Sequence, residues 1–499
     1  MNRRPLLVLA LLTLIGAALR LWGLDAAPPG LHPDEAANAY EAFCLRTTGA
    51  ASDGRALPWV FPMHGRFWVE GSYVWLVALV QGLPLSLPVS TRLPAALAGV
   101  ALVPATWCLA RRLLTPRVAW VAAGLLAVEP LAVHYSRVGL RASLVPPAVA
   151  WALVLLLDPR GGRPAALWRG ALAGVLAAFA LWSYTPQRVW VPLLGLALLA
   201  AFWSRVKREP TRWALAGGLA ALALVASLPW TLGGGGRARL DAVSLLALEG
   251  GGGAQLGAFV KGYALAFSPR ALLSGSSSRG FWAEGVRPLL WVEAPLILLG
   301  VISLAARSVR RVGEAGPARA RFLLLWLLLH PVPAALTVPA PNPLRSIGVL
   351  PLWALLGAEG ARTALALAQR WRGRPARRGL GVALVVALLV NAGVAGARYG
   401  ADFPRDERRA WFAGQSAALE GLLLAADQAG ADVEVECAWV EAALVECAGR
   451  RWRPSTRQAA RAHVTLHGRG HARWSALLGP ERLIAHDASG REVYRRPVR

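Results

Sequence analysis

Long apolar stretches dominate the chain. A membrane-crossing helix needs about 20 mostly apolar residues. Eleven segments fit that pattern, near residues 5–24, 92–110, 118–135, 143–157, 165–183, 189–204, 212–230, 288–306, 321–338, 346–367 and 379–397. A twelfth stretch, Val74 to Leu87, is shorter and contains Gly82 and Pro84. The pattern predicts an α-helical polytopic membrane protein with about 11 transmembrane helices.

The distribution of basic residues predicts the direction of these crossings. The short loops on one side carry 22 arginines and lysines, and those on the other carry only Arg137, Arg141, Arg188 and Arg345. Cytoplasmic loops are enriched in such residues. We therefore expect the N-terminus in the cytoplasm and the C-terminus outside it, in a protein of the plasma (inner) membrane.

The same charge bias assigns the short stretch Val74 to Leu87. A crossing there would move every later basic loop to the outer side. We therefore predict that this stretch lies in the outer interface, a depth that suits Trp68, Tyr73 and Trp75.

Composition narrows the class of protein further. Hydrophobic residues make up 56% of the chain and charged residues 16%, with a mean hydropathy of +0.44. In soluble domains, roughly 45–50% of the residues are hydrophobic and about 25% are charged. These values exclude a soluble enzyme, a disordered chain and a fibrous repeat. The net charge of +26 would suggest nucleic acid in a soluble protein. Here it lies in short clusters between apolar segments, so we expect the lipid bilayer, and no nucleic acid, as partner.

Three regions of the predicted outer face are large: 25–91, 233–287 and the tail 398–499. Two glycine runs, Gly233–Gly236 and Gly250–Gly253, suggest flexible loops in the second region. We divide the chain into a membrane domain, 1–397, and a small extracytoplasmic α+β domain, 398–499. The tail's predicted elements are a helix, Asp406–Ala429, and strands Asp432–Trp439, Ala443–Cys447, His463–Gly468 and Leu483–Tyr494. Cys437 and Cys447 fit a disulfide or two unpaired thiols equally well.

The densest chemical signal is an adjacent acidic pair, Asp34 and Glu35, after a proline-rich turn in the first outer region. The pair opens a predicted amphipathic helix that continues to about Leu45, with Asp34 near the N-cap. One interpretation is a capping residue followed by a first-turn acid. The other is a chemical site, which the scarcity of acids in this chain and the arginines on the same side favour.

The outer arginines fall in three short polar segments. His134–Arg141 contains two arginines four residues apart, and Tyr184–Arg188 contains one. Pro341–Ser346, which follows His330 along the chain, also contains one. Each arginine alone fits snorkelling to lipid headgroups. Four arginines around one acidic pair also suit the transfer of a group from a membrane-bound phosphate donor. A carboxylate would act as the base, and the guanidinium groups would bind the phosphate of the donor.

Three parts of the chain resemble the GT-C membrane glycosyltransferases, specifically the bacterial protein O-mannosyltransferase and aminoarabinose-transferase superfamily (glycosyltransferase family 39-like). Arg20–Leu24 with His32–Ala36 is similar to that family's first outer loop. The stretch Thr91–Leu113 resembles its second crossing, and Tyr135–Arg141 and Asn342–Ser346 also fit. The resemblance covers the layout of about residues 1–400 and none of the tail.

The resemblance implies a GT-C-type fold and an inverting glycosyltransferase whose sugar donor is a polyprenyl phosphate in the outer leaflet. Asp34 would then be the catalytic carboxylate and Glu35 its partner. The phosphate-binding candidates are Arg137, Arg141 and Arg345, and the possible substrate-binding residues are His64, Tyr184, Arg188 and Asn342. No cofactor is certain, and a divalent metal on Asp34 and Glu35 stays open. So do the donor sugar and an acceptor that is a protein, a lipid or a glycan.

Three other functions compete with this assignment. A transporter would carry charged residues within crossings and internal repeats. This chain shows no repeat and its mid-crossing positions are almost wholly apolar, with Glu129, beside Pro130, as an exception. That residue also fits a polar contact at a helix kink. A non-catalytic scaffold for the tail domain, and a ligase or polymerase of surface glycans, are the remaining alternatives.

Overall fold

The computed structural model describes residues 4–63, 67–159, 162–248, 250–274, 287–309 and 315–403, and the strands of the C-terminal region. The described helices are α1 (Arg4–Leu21), α2 (Pro33–Thr48), α3 (Ser72–Val80), α4 (Leu87–Leu113), α5 (Pro116–Val128), α6 (Pro130–Arg137), α7 (Val145–Leu156), α8 (Arg163–Ser183), α9 (Gln187–Arg208), α10 (Pro210–Leu232), α11 (Gly234–Val243), α12 (Gly251–Leu265), α13 (Glu293–Ser308), α14 (Ala315–Leu329), α15 (Val332–Ala335) and α16 (Leu350–Ala397).

Every apolar segment predicted to cross the membrane coincides with helical structure. By length and composition, five helices of the described residues can cross, or six if α5 and α6, bent by 52°, form one span. The bend has a local cause, since Pro130 cannot donate the backbone hydrogen bond that would continue α5. The count of eleven spans stays a prediction.

Helix α16 reverses direction at its middle. Gly373 has φ 77°, which breaks the helical path. A Cβ atom placed on Gly381 would lie 3.7 Å from the side chain of Leu365. Sixteen residues of uninterrupted helix would separate these positions by about 24 Å. The two halves therefore form an antiparallel hairpin that corresponds to the predicted segments 346–367 and 379–397.

Helix α3 occupies most of the stretch that the charge bias excluded from crossing. It has nine residues and a length of about 14 Å, whereas the hydrocarbon core is about 30 Å thick. Tyr73, Val74 and Val77 on its inner face are fully buried against the outer loop. Its length agrees with the prediction of an interfacial helix.

Close helix crossings hold the membrane domain together. Where α13 crosses α16, a Cβ on Gly300 would come within 2.1 Å of the Leu356 carbonyl oxygen, and one on Gly360 within 1.8 Å of the Leu296 carbonyl. Only glycine allows this approach. Arg20 of α1 donates to the carbonyls of Leu126 and Ala127 at 3.1 and 2.9 Å, and so satisfies groups freed at the end of α5.

The described strands form two sheets. A hairpin of β1 (Val60–Met63) and β2 (Phe67–Glu70) lies in the first outer region. Strands β3 (Ala431–Cys437), β4 (Trp452–Pro454), β5 (Ala462–Gly468), β6 (Arg473–Leu478), β7 (Arg482–His486) and β8 (Glu492–Pro497) form a sheet of order β4-β3-β5-β6-β7-β8. The prediction of one strand over Leu483–Tyr494 is wrong, because this stretch is an antiparallel pair, β7 and β8. The predicted helix Asp406–Ala429 and strand Ala443–Cys447 lie outside the described residues.

Candidate active site

The acidic pair lies at the start of α2, where its two members have different surroundings. The N-cap is His32, whose ring Nδ1 accepts the Asp34 N–H at 3.1 Å, while Glu35 accepts the His32 N–H at 2.9 Å. This reciprocal arrangement is a capping box. Asp34 is the second residue of the helix and so lies near the N-cap, as predicted, while the capping side chain is that of His32.

Glu35 is fully buried in an ion pair with Arg92 of α4. The guanidinium Nε and Nη2 of Arg92 lie 2.8 and 3.0 Å from its carboxylate, and the Gly139 N–H donates to it at 2.7 Å. Burial opposes ionisation, but the charge and hydrogen bonds of Arg92 and the backbone donors of Gly139 and His32 hold the pKa of Glu35 below its usual value. Glu35 thus fastens the first outer loop to α4 and to the turn at Gly139.

A second carboxylate, Glu70 at the end of β2, organises the arginines of the outer face. Arg141 Nε and Arg188 Nη2 each lie 3.0 Å from its oxygens, and the Thr185 hydroxyl donates to it. Burial would raise the pKa of Glu70, yet the charges of Arg188 and Arg141 bring it below the ordinary value. Sequence reasoning missed this residue.

A cavity of about 560 Å³ opens beside Glu70. Its polar lining includes Glu70, Tyr184, Thr185, Arg188, Arg239 and Arg345, together with Thr231, Ser244, Gln255 and Thr337. Its apolar lining includes Trp68, Trp230, Leu240, Leu256, Phe259 and Leu336. Three guanidinium groups therefore lie along a cavity whose remaining lining is largely apolar.

Arg239 links Asp34 to this cavity. Burial and the repulsion of Arg141 lower the pKa of Arg239, while the charges of Asp34 and Glu70 act in the opposite sense. Asp34 is half-buried and lies within electrostatic range of the Arg239 guanidinium. Burial also lowers the pKa of Arg345, whose Nη1 donates to the Val338 carbonyl oxygen at 3.2 Å. An anion in the cavity would therefore meet the guanidinium groups of Arg239 and Arg345. Because both groups are buried, water screens their attraction for the anion less than it would at the protein surface.

The glycine run before Arg239 has a structural reason that sequence reasoning did not identify. A Cβ on Gly235 would come within 2.7 Å of the Trp68 backbone nitrogen, and one on Gly236 within 1.9 Å of the Trp230 carbonyl oxygen. Residues 234–236 open α11 rather than form a flexible link. Their lack of side chains lets α11 pack on Trp68 and carries Arg239 into the cavity.

The predicted site residues do not all lie at the cavity. Tyr184, Arg188 and Arg345 line the cavity, and Arg141 lies directly behind it, with its guanidinium 5.5 Å from the Tyr184 ring centre. Asn342 is buried outside the cavity lining, and its side-chain oxygen accepts the Leu344 N–H at 3.1 Å, which forms the turn before Arg345. His64 lies outside the described residues.

Arg137 belongs to another part of the molecule. Its guanidinium donates to the carbonyl oxygens of Leu19, Trp22, Gly23 and Ala27 at 2.7–3.0 Å. These bonds cap the end of α1. Arg137 lines a separate groove between α1, α6 and the second half of α16, so the structure does not bring it together with Arg345 in one cavity.

The acidic pair does not fit a divalent metal. Both oxygens of Glu35 already accept hydrogen bonds from Arg92 and backbone donors. Within the described part of the chain, no three His, Cys, Asp or Glu side chains cluster as ligands would. We therefore derive no step through a metal at Asp34 and Glu35.

Comparison with known proteins adds a family model and a fold. Residues 72–230 match the family model of dolichyl-phosphate-mannose-protein mannosyltransferases. No curated protein matches the chain significantly. The apo oligosaccharyltransferase of Archaeoglobus fulgidus superposes with a TM-score of 0.56 at 14% identity, over 92% of this chain and 65% of that one. The same enzyme tethered to an acceptor peptide gives 0.52 at 12% identity, over 88% and 59%.

A bacterial structure aligns over most of both chains. ArnT from Cupriavidus metallidurans bound to undecaprenyl phosphate has a TM-score of 0.50 at 13% identity, over 92% of this chain and 87% of that one. The present chain thus spans about three fifths of the archaeal enzyme's length and most of the bacterial one's. At such identities the matches establish a common fold.

Proposed function

We propose that the chain is a membrane glycosyltransferase of the GT-C superfamily that moves a sugar from a polyprenyl-phosphate donor to an acceptor hydroxyl. The family model matched over residues 72–230, and the fold shared with the archaeal oligosaccharyltransferase and with ArnT, support this proposal. The reaction takes place at the outer face of the plasma membrane, with the N-terminus of the chain in the cytoplasm. The lining of the 560 Å³ cavity is the observation that carries the proposal.

A polyprenyl phosphate has the same two-part character as this cavity. Its phosphate suits Arg239 and Arg345, since guanidinium groups bind phosphate oxygens through charge-assisted hydrogen bonds. Its hydrocarbon chain suits the wall formed by Trp230, Leu256 and Leu336. Arg188 and Arg141 are held by Glu70, so they add positive potential behind the phosphate while keeping the cavity wall in place.

We assign activation of the acceptor to Asp34, whose side chain is half-buried at the start of α2. Its carboxylate accepts the proton of the acceptor hydroxyl as the oxygen forms a bond to the anomeric carbon of the sugar. The bond from that carbon to the phosphate oxygen breaks on the opposite face, which inverts the anomeric configuration. Arg239 and Arg345 stabilise the charge that develops on the departing phosphate. No proton donor is needed for a phosphate leaving group.

Mannose is the first sugar to test, because the matching family model is that of mannosyltransferases. The donor would be undecaprenyl-phosphate mannose, with undecaprenyl-phosphate aminoarabinose as the alternative. Protein, lipid and glycan acceptors are supplied in parallel reactions. Transfer of label from the donor to any of them identifies the acceptor class.

The decisive variant is Asp34→Asn. It removes a base but keeps the side-chain shape, and it leaves the His32 cap intact. We expect turnover to fall by ~10²–10⁴-fold, the contribution typical of a general base, with unchanged membrane insertion. Asp53→Asn is the matched control, because Asp53 lies in the same outer region and pairs with Arg55 at 2.7 Å. Wild-type turnover in Asp34→Asn would refute the role of Asp34 as the general base.

A further inference from the structure

A second cluster of arginines lies at the helix ends opposite the cavity. On α4, Arg92 is at the cavity end and Arg112 is twenty residues further along, a distance of about 30 Å. Helices α8, α9 and α10 likewise carry Arg169, Arg205 and Arg212 at the ends remote from Tyr184, Arg188 and Trp230. The proposed reaction uses none of these arginines.

These arginines converge on the end of α7. Arg112 Nη2 lies 2.8 Å from an Asp158 carboxylate oxygen and Arg169 Nη2 lies 3.8 Å from it. Arg212 donates to the Asp158 carbonyl at 2.7 Å, and Arg205 donates to the Leu157 carbonyl at 3.1 Å. The backbone end of α7 is thus surrounded by guanidinium groups.

The cluster carries more positive charge than its own acids neutralise. Arg205 lies within electrostatic range of Arg112, Arg212 and Arg319 as well as Glu209. With Arg169, five arginines face the two carboxylates Asp158 and Glu209. Arg212 is almost completely buried, and its Nη2 has no hydrogen-bond partner in the described part of the chain. Three positive charges are left for an anion from outside the protein.

Aromatic residues beside the cluster indicate its depth. Trp168 is 50% exposed, with the Arg169 guanidinium 5.1 Å from its ring centre, and Trp203 is 55% exposed, with Lys207 Nζ at 5.7 Å. Exposed tryptophans concentrate at the level of lipid headgroups. The cluster therefore lies where a lipid phosphate group, rather than a hydrocarbon chain, would meet it.

We infer that Arg112, Arg169, Arg205, Arg212 and Arg319 form a binding site for the phosphate headgroup of an anionic phospholipid in the leaflet opposite the cavity. Guanidinium groups match phosphate oxygens in geometry and charge. Basic pockets between membrane helices recognise anionic headgroups in the same way. Occupancy would join α4, α8, α9, α10 and α14 at one end, which separates this role from that of the donor cavity.

The test is lipid binding by the purified full-length chain in nonionic detergent, followed by native mass spectrometry. Phosphatidylglycerol and phosphatidylcholine with identical acyl chains are compared. We expect the chain to bind phosphatidylglycerol at least tenfold more tightly. Equal binding of the two lipids would overturn the inference, and this comparison needs no variant.

Matched charge removals then locate the site. Arg205→Gln combined with Arg319→Gln removes two charges of the cluster and should lower phosphatidylglycerol affinity at least fivefold. Lys207→Gln combined with Arg321→Gln removes two exposed charges from the same helix ends and should change it less than twofold. Equal losses in the two double variants would show a diffuse positive field and contradict a defined site.

Inorganic phosphate distinguishes a lipid from a soluble anion. Phosphate at millimolar concentration should not displace bound phosphatidylglycerol. If phosphate binds with the same dependence on Arg205 and Arg319 while phosphatidylglycerol does not, the lipid assignment is wrong. Because Arg205 and Arg319 lie outside the catalytic machinery, sugar transfer by the variants reports independently on the proposed function.

Discussion

Adjacent side chains at the start of α2 have opposite electrostatic roles. Glu35 has no exposed surface and is neutralised by Arg92, whereas Asp34 is half-buried and within electrostatic range of Arg239. A paired and buried acid resists protonation and contributes to folding. A carboxylate that remains accessible can accept a proton from a substrate.

Glu35→Gln should destabilise the protein without a specific kinetic effect. The substitution leaves the Arg92 charge buried without its counter-charge, which costs about 3–5 kcal/mol when one member of a buried pair is lost. The measurement is the thermal unfolding midpoint and the yield of folded protein in detergent. A well-folded Glu35→Gln protein with abolished turnover would instead make Glu35 a catalytic residue.

Glu41 predicts a pH dependence of stability. Burial, opposed by hydrogen bonds from Ser52, raises its pKa from 4.5 to about 7. The folded state therefore holds the proton more tightly than the unfolded state. This contribution is complete below pH 4.5 and is lost as the pH rises through about 7. The unfolding midpoint of the wild type should fall across this interval more than that of Glu41→Gln, and parallel curves would contradict the assignment.

At the residue scale, the sequence predicted positions that depend on local context. Tyr184, Arg188 and Arg345 could be selected because each is polar within an apolar setting, and all three line the cavity. Glu70 and Arg239 were missed because their roles arise from packing between β2, α9 and α11, which no local pattern encodes. Asp34 was correctly placed near the N-cap, but His32 was not identified as the capping residue, because a histidine N-cap is rare and its geometry depends on the preceding turn.

At the scale of elements, α11 connects a glycine run with the chemistry of the cavity. Gly236 lies so close to the end of α10 that a Cβ would meet the Trp230 carbonyl oxygen at 1.9 Å. The position of Arg239, three residues later, depends on this approach. The helix therefore couples the packing of the second outer region to phosphate binding.

Gly236→Ala should impair donor binding more than folding. The added methyl group displaces α11 and moves Arg239 away from the cavity, so we expect at least a tenfold rise in the KM for the polyprenyl-phosphate sugar. Gly253→Ala is the control, because a Cβ there meets nothing within 4 Å. Equal KM values for the two variants would show that α11 tolerates the shift and that Arg239 is not held by this contact.

Apolar segments were the most predictable elements, because the length and hydrophobicity of a run depend on consecutive residues alone. The bend between α5 and α6 and the reversal at Gly373 each occur at a proline or glycine within or beside such a run. The tail was less predictable. The prediction joined its last two strands across Asp487–Gly490, although aspartate, serine and glycine there favour a turn. Strands β4 (Trp452–Pro454) and β6 (Arg473–Leu478) were missed altogether.

At the scale of the whole molecule, charge and geometry support the same topology by independent arguments. The basic loops require that Val74 to Leu87 does not cross, and α3 is only nine residues long. The cavity residues Glu70, Tyr184, Arg239 and Arg345 then all belong to segments predicted to lie outside the cytoplasm. The five arginines of the proposed lipid site belong to helix ends predicted to lie in the cytoplasm.

Reporter fusions test this topology directly. Fusions after Gly30 and after Leu87 should both report the outer side, because the intervening α3 cannot span a bilayer about 30 Å thick. A fusion after Gly373 should report the cytoplasm, since the α16 hairpin turns there. Opposite sides for Gly30 and Leu87 would invert every later loop and move the arginine cavity to the cytoplasm. An outer polyprenyl-phosphate donor could then no longer reach it, so this single measurement tests the orientation on which the proposed reaction depends.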